Sequence, residues 1–259
     1  MKIATFNING IKARLDGVLE WLDEAGPDVA CLQEIKSVDE AFPREVFEAK
    51  GWQVETHGMK AFNGVAILSR LPLEDVTRRL PGDDADEHAR WIEATVVGKT
   101  RVRVCGLYLP NGNPAPGPKH EFKLAWMARM EARVRALLAT EQPVVFCGDY
   151  NVIPEAEDAA SPKDWVGDAL FLPQSRAAFF RMVNLGLTDA IRVRDGRAGV
   201  YTYWDFQRGA WERNNGIRID HLLLSPQAAD LLVGTGIDKA VRGKDKPSDH
   251  VPAWIELDA

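Results

Sequence analysis

Two stretches of this chain, 2–34 and 101–151, spell the same order of elements, and that repetition limits the folds open to it. In the first, "KIATFNI" reads as a buried strand. "KARLDGVLEWLDEAG" follows as a helix with Leu15, Val18, Leu19 and Leu22 on one face and Gly26-Pro27 at its end, and "DVACLQE" reads as a second strand. In the other, "RVRVCGLYLP" is a strand, a helix from about Glu121 to Ala139 carries Phe122, Met127, Met130, Val134 and Leu137, and "QPVVFCGDYNV" is a strand. Further short strands are expected at "GWQVETHG", "NGVAILSR", "ARWIEATVV", "IRIDHLLLS" and "VPAWIEL", with another helix at "SRAAFFRMVNLG". Many short strands with a few helices predict one α/β fold built on two packed sheets. No stretch reads as a linker, so residues 1–259 are expected to form a single domain.

Both repeats set polar residues where an apolar strand stops: Asn7 and Glu34 in the first, Tyr108, Asp149 and Asn151 in the second. Strand ends meet solvent, so any one of these has a plain reading as a cap, a turn residue or a packing tyrosine. The collection is harder to dismiss. A partly enclosed carboxylate such as Glu34 is costly without a partner, and a divalent cation is one. Asn7 offers an amide oxygen, either to a turn or to a metal shell. Asp149 and Asn151 alternate, so in a strand both face one side; the acid can hold or deprotonate a water and the amide can donate to a charged oxygen. Their plain reading is an Asx-rich turn before Pro154.

Asp220 interrupts the apolar "GIRIDHLLLS" and needs hydrogen bonds or a charged partner, which His250 in "KPSDHVP" can supply. Carboxylate, imidazole and substrate would then form a relay; read singly, Asp220 is a satisfied strand acid and His250 a loop residue. Asp249 can approach a metal separately. No zinc spacing, Walker loop or dinucleotide fingerprint is present. The inventory suits metal-assisted hydrolysis of a phosphodiester.

Net charge is −6, which counts against coating nucleic acid non-specifically but allows a local patch that grips phosphates. Cys31, Cys105 and Cys147 each sit in or beside apolar stretches and read as buried free thiols. No apolar run approaches a membrane span and the start lacks a signal-peptide pattern, so the expectation is a cytoplasmic protein without a membrane partner.

The motifs "FNINGIKAR", "PDVACLQEIK", "GVAILSR", "GLYLPNG", "GDYNVIP", "GIRIDHLLLS" and "KPSDHVP" occur in order along the whole chain. In these the sequence resembles the exodeoxyribonuclease III group of abasic-site endonucleases, within the endonuclease/exonuclease/phosphatase superfamily. The resemblance implies a four-layer α/β sandwich, with two central mixed sheets flanked by helices and the site at one end. It implies that Asn7 and Glu34 hold Mg²⁺ or Mn²⁺ with Asp249 beside the metal, and that Asp149 activates the attacking water. Asn151 would stabilise charge on the phosphate, Tyr108 and Asn111 would contact it, and Asp220 would orient His250 towards the phosphoryl oxygen.

The implied partner is duplex DNA with abasic sites or accessible 3′ ends, attacked by a monomer. The implied cut falls 5′ to an abasic sugar, alongside removal of nucleotides and blocking groups from 3′ ends. Trp204 and Trp211 are the candidates for lining the sugar pocket or wedging into the helix, although as bare residues they read as core and surface loop. Arg90 resembles an arginine near bound DNA, and Lys119 is a candidate phosphate contact. "DWVGDALFLPQSRAAFF" departs from the commoner bacterial version, and no second catalytic histidine of the pancreatic DNase kind lies near "YLPNG".

The rival readings are a superfamily phosphodiesterase acting on RNA, phosphoinositide or lipid substrates, and a catalytically inactive DNA-binding relative. The DNA-type aromatic loop counts against the lipid reading, and the complete set of polar residues against the inactive one.

Overall fold

The computed structural model describes residues 1–259. Its first half runs β1 (Lys2–Asn7), α1 (Ile11–Ala25), β2 (Val29–Gln33), α2 (Arg44–Glu48), β3 (Gln53–His57), β4 (Val65–Ser69), β5 (Leu73–Arg78), β6 (Trp91–Val97) and β7 (Arg101–Tyr108). Its second half runs α3 (Pro118–Leu138), β8 (Val144–Asp149), α4 (Pro173–Val183), β9 (Thr188–Asp189), α5 (Ala190–Arg194), β10 (Asp220–Leu224), α6 (Pro226–Ala229), β11 (Leu232–Ile237) and β12 (Ala253–Leu257).

The strands form two six-stranded mixed sheets, ordered β11-β12-β1-β2-β4-β3 and β5-β6-β7-β8-β10-β9. β1 and β2 are parallel, as are β7 and β8, each pair joined by its helix. Alternation then sorts side chains by layer. Ile3, Val29, Cys31 and Ile67 of the first sheet meet Ile92, Val104, Val145, Cys147 and Leu222 of the second. Ala4, Phe6, Ala30 and Leu32 face the other way, onto Val18, Trp21 and Leu22 of α1. Trp91, Cys105 and Phe146 pack on Trp126, Met127 and Met130 of α3. The result is a four-layer sandwich with helices outside both sheets. All three cysteines are buried and free. No helix is long and apolar enough to cross a membrane.

Three strands escape the sequence pattern, and all are sheet edges: the two-residue β9 is too short to show one. β5 and β11 are half-exposed and each ladder carries a register shift, so neither shows regular apolar alternation. What matters for function is where the parallel strands end. Tyr108 and Asp149 are register partners across β7 and β8, and Asp220 lies opposite Asp149 on β10. Asn7 ends β1 beside the end of β2.

Candidate active site

At this common end, buried polar groups from both sheets form one hydrogen-bonded constellation. The Asn7 amide Nδ2 donates to Glu34 Oε1 and to Asp149 Oδ2, each at 3.0 Å, and so bridges the two sheets. The Tyr108 hydroxyl donates to Glu34 Oε1 at 2.8 Å. Across the cluster, Asp220 Oδ2 accepts from His250 Nδ1 at 2.8 Å, and His250 Nε2 lies 3.7 Å from Asp149 Oδ2. Asn151 donates its backbone N–H to Asp149 Oδ1 at 2.8 Å, and its side-chain oxygen accepts from Asn111 Nδ2 at 3.1 Å.

Burial sets the electrostatics. Asp149 is 1% exposed, and loss of solvent pushes its pKa up to about 7; His250 pulls it down, Asp220 pushes it up and the amides of Asn151 and Asn7 hold it down. Burial also works against a charged His250, but the Asp220 and Asp149 carboxylates overcome it and raise the ring to about 10. An acid near neutrality beside a charged imidazole suits general-base work on a water, with a cation ready for a phosphoryl oxygen. Burial raises the Tyr108 hydroxyl well above its usual value, keeping it a donor. For Glu34 burial is opposed by hydrogen bonds from Asn7 and Lys36 and by the Lys36 charge, and the net shift is downward.

The donor chemistry fits a hard divalent cation, since carboxylate and amide oxygens dominate. Asp149, Asp220 and His250 are close enough to share an ion, yet His250 Nδ1 is committed to Asp220, so this trio is better described as a relay. Glu34 offers a second carboxylate at the same end, while Asn7 turns its Nδ2 donor towards it and its Oδ1 accepts from the Asn9 backbone N–H at 3.0 Å. Asp220 Oδ1 is buried with no hydrogen-bond partner, an acceptor awaiting a donor. Asp249 sits to one side, its Oδ1 accepting from Asn9 Nδ2 at 3.1 Å; Asn9 Oδ1 accepts from Lys36, which pairs with Glu34 at 2.8 Å.

Arg90 lies over the Tyr108 ring at 4.8 Å and donates to the Tyr108 carbonyl. With Asn111 and Lys119 it lines a cavity of about 530 Å³ beside the constellation, so these three share one wall.

The aromatic assignment needs correction. Trp204 is fully buried and packs edge-on against Tyr201 and Trp211. Trp211 is half-buried on Trp204 beneath the Lys239 ammonium. The physical reason is the irregular turn of "YTYW", which sends Tyr201 and Trp204 into one cluster and Tyr203 away from it. Tyr203 points the opposite way, its ring centroid 5.0 Å from that of His250, and lines a cavity of about 350 Å³ with Trp165 and Ile217. Sequence reasoning also passed over Asn9 and Lys36, each two residues after a selected one, and Lys123, buried on α3.

The sequence profile described as "Endonuclease/Exonuclease/phosphatase family" matches residues 4–250. Exodeoxyribonuclease III of Haemophilus influenzae is 34% identical over 269 residues, covering 99% of this chain and 100% of that protein. Among solved structures, an AP endonuclease from Archaeoglobus fulgidus aligns with a TM-score of 0.94 at 36% identity, covering 100% of both chains. A Neisseria 3′ phosphatase bound to a product DNA hairpin aligns with a TM-score of 0.96 at 35% identity, again covering 100% of both.

Proposed function

The chain belongs to the endonuclease/exonuclease/phosphatase family, and from that premise we propose how its site works as a DNA-repair nuclease. It hydrolyses the phosphodiester backbone 5′ to abasic sites and trims or cleans 3′ ends of duplex DNA. The observation that carries this reading is the buried chain Asp220–His250–Asp149–Asn7–Glu34, which links both sheets into one site.

Asp149 accepts the proton of the attacking water, its raised pKa placing it near the operating pH. Asp220 fixes the His250 ring, and the charged ring faces the phosphoryl oxygen. Asn151, Asn111 and Tyr108 donate to the phosphate, with Arg90 buttressing Tyr108. A divalent cation held by Glu34 and Asn7, with Asp249 alongside, would supply charge neutralisation at the phosphate; Mg²⁺ is our assignment, with Mn²⁺ able to substitute. Tyr203 and Ile217 line the cavity suited to a sugar turned out of the duplex. The enzyme acts as a monomer in the cytoplasm.

The test is a duplex with one central abasic-site analogue, incubated with Mg²⁺, with EDTA, and with an Asp149→Asn variant. Expected is Mg²⁺-dependent incision immediately 5′ to the lesion, abolished in both controls. Erosion of 3′ ends without incision would move the activity to end processing, and no cleavage of either substrate would overturn the reading.

A further inference from the structure

Lys123 occupies a place where a lysine is costly. The buried face of α3 runs His120, Lys123, Trp126, Met127, Met130, Val134 and Leu137, and Lys123 is 0% exposed in that apolar stripe. A buried ammonium needs compensation, and no carboxylate lies near enough to pair with it. Its three donors go to backbone carbonyls: Asn151 O at 2.6 Å, Asn111 O at 3.0 Å and Ala169 O at 3.3 Å. Burial lowers its pKa to about 7, against the distant attraction of Asp149 and Asp168.

Those carbonyls belong to three separate loops, and each loop serves the site. The Asn111 and Asn151 side chains are joined to each other at 3.1 Å, and Asn151 Nδ2 donates onward to Leu109 O at 2.9 Å. Ala169 adjoins Asp168, which lines the Tyr203 cavity. Gly112, at φ +92°, leaves room for the lysine stem: a Cβ there would stand 2.7 Å from Lys123 Cδ. A core residue needed only to fill volume would be satisfied by methionine, which makes no such bonds.

We propose that Lys123 is a positioning residue for the hydrolysis: its buried Nζ, donating to three loop carbonyls, sets the Asn111 and Asn151 amides against the phosphate. This rests on the phosphodiesterase reading given above.

The test is a double-mutant cycle in single-turnover incision of the abasic duplex, with enzyme saturating. Lys123→Met is expected to lower the rate about 100-fold while changing DNA affinity less than about threefold. In an Asn111→Ala background the same substitution is expected to cost less than about fivefold, because the lysine acts through that loop. Lys123→Gln, which keeps two donors, should fall between and carries the cycle where the methionine variant does not fold. Equal losses in both backgrounds, a loss under threefold in a folded variant, or failure of both variants to fold would overturn the proposal. A wild-type enzyme that cuts no DNA removes the phosphodiesterase premise instead, and that outcome is distinguishable because every variant is then equally silent.

Discussion

The two parallel strand–helix–strand units, β1-α1-β2 and β7-α3-β8, solve the same problem differently. Each must present polar groups at the end of a buried strand, and each sets a non-glycine residue in the left-handed region just past its second strand. Glu34 has φ 49° and Asn151 φ 48°, a strain of roughly 1–2 kcal/mol apiece. In the first unit the backbone bears the strain. Ile8, Gly10 and Ile11 donate N–H groups to the carbonyls of Gln33, Glu34 and Ile35, extending the ladder past the strand ends over an apolar helix face. In the second unit side chains bear it: Asn111, Asn151 and the Lys123 ammonium tie the loops together. Substitutions in the packed body of the first unit should therefore damage the fold, whereas those in the side-chain ties of the second, like those of Asn7 and Glu34 at the shared end, should damage the rate.

The largest effect should come from Asp149→Asn, at the end of the second unit. The substitution nearly keeps the shape but removes the proton acceptor, so incision should fall about 10³–10⁴-fold. A rate above a tenth of wild type would show that another group takes the proton.

Trp21→Ala tests the first unit in the opposite currency. Trp21 is 1% exposed, packs edge-on against Phe6 at 5.4 Å and donates to Asp238 Oδ2 at 2.8 Å. Truncation should cost about 3–5 kcal/mol of unfolding free energy, read by urea denaturation, while folded enzyme at low temperature keeps its turnover within about threefold. A rate loss exceeding the stability loss would break the division of labour.

A third measurement probes the ground beneath the second unit. His221 is fully buried; its Nδ1 accepts from Arg218 and its Nε2 donates to the Val152 carbonyl, beside Asn151. Burial, helped by the Arg218 charge, lowers its pKa to about 4. The unfolded chain takes up this proton below about pH 6.5 and the folded chain refuses it until about 4, so stability is full above 6.5 and lost as pH falls. The expected loss is about 3 kcal/mol by pH 4. Denaturation of wild type and His221→Gln at pH 7 and pH 4.5 checks this; parallel losses in the two proteins would exclude His221 as the source.

The sequence made the repeat legible because parallel strands buried on both faces keep their apolar runs, and helices over them keep a periodic face. It also exposed Asn7, Glu34, Asp149, Asp220 and His250, since a polar residue interrupting an apolar run stands out. It hid β5, β9 and β11, whose edge positions bury too little surface to impose a pattern. Trp204 was misplaced for a different reason: tryptophan is conspicuous, but the residue that faces His250 is set by which way an irregular segment turns, and Tyr203 carries no marker of that. Lys123 was invisible because a lysine on an amphipathic helix ordinarily faces water.

The smallest predicted effect concerns the residue one turn before it. Lys119 is exposed on the first turn of α3 and lines the cavity shared by Arg90 and Asn111, whereas Lys123 is sealed beneath it. An exposed lysine that meets a DNA phosphate displaces a counterion, so Lys119→Ala should flatten the dependence of log affinity on log salt by about 0.9 for duplex DNA. The single-turnover rate should stay within about threefold of wild type, because the lysine binds without touching the reacting atoms. Lys123→Met should do the reverse, leaving the salt slope intact and lowering the rate. Binding titrations of both variants across a salt series separate the two roles, and an unchanged slope in Lys119→Ala would remove Lys119 from the DNA contact surface.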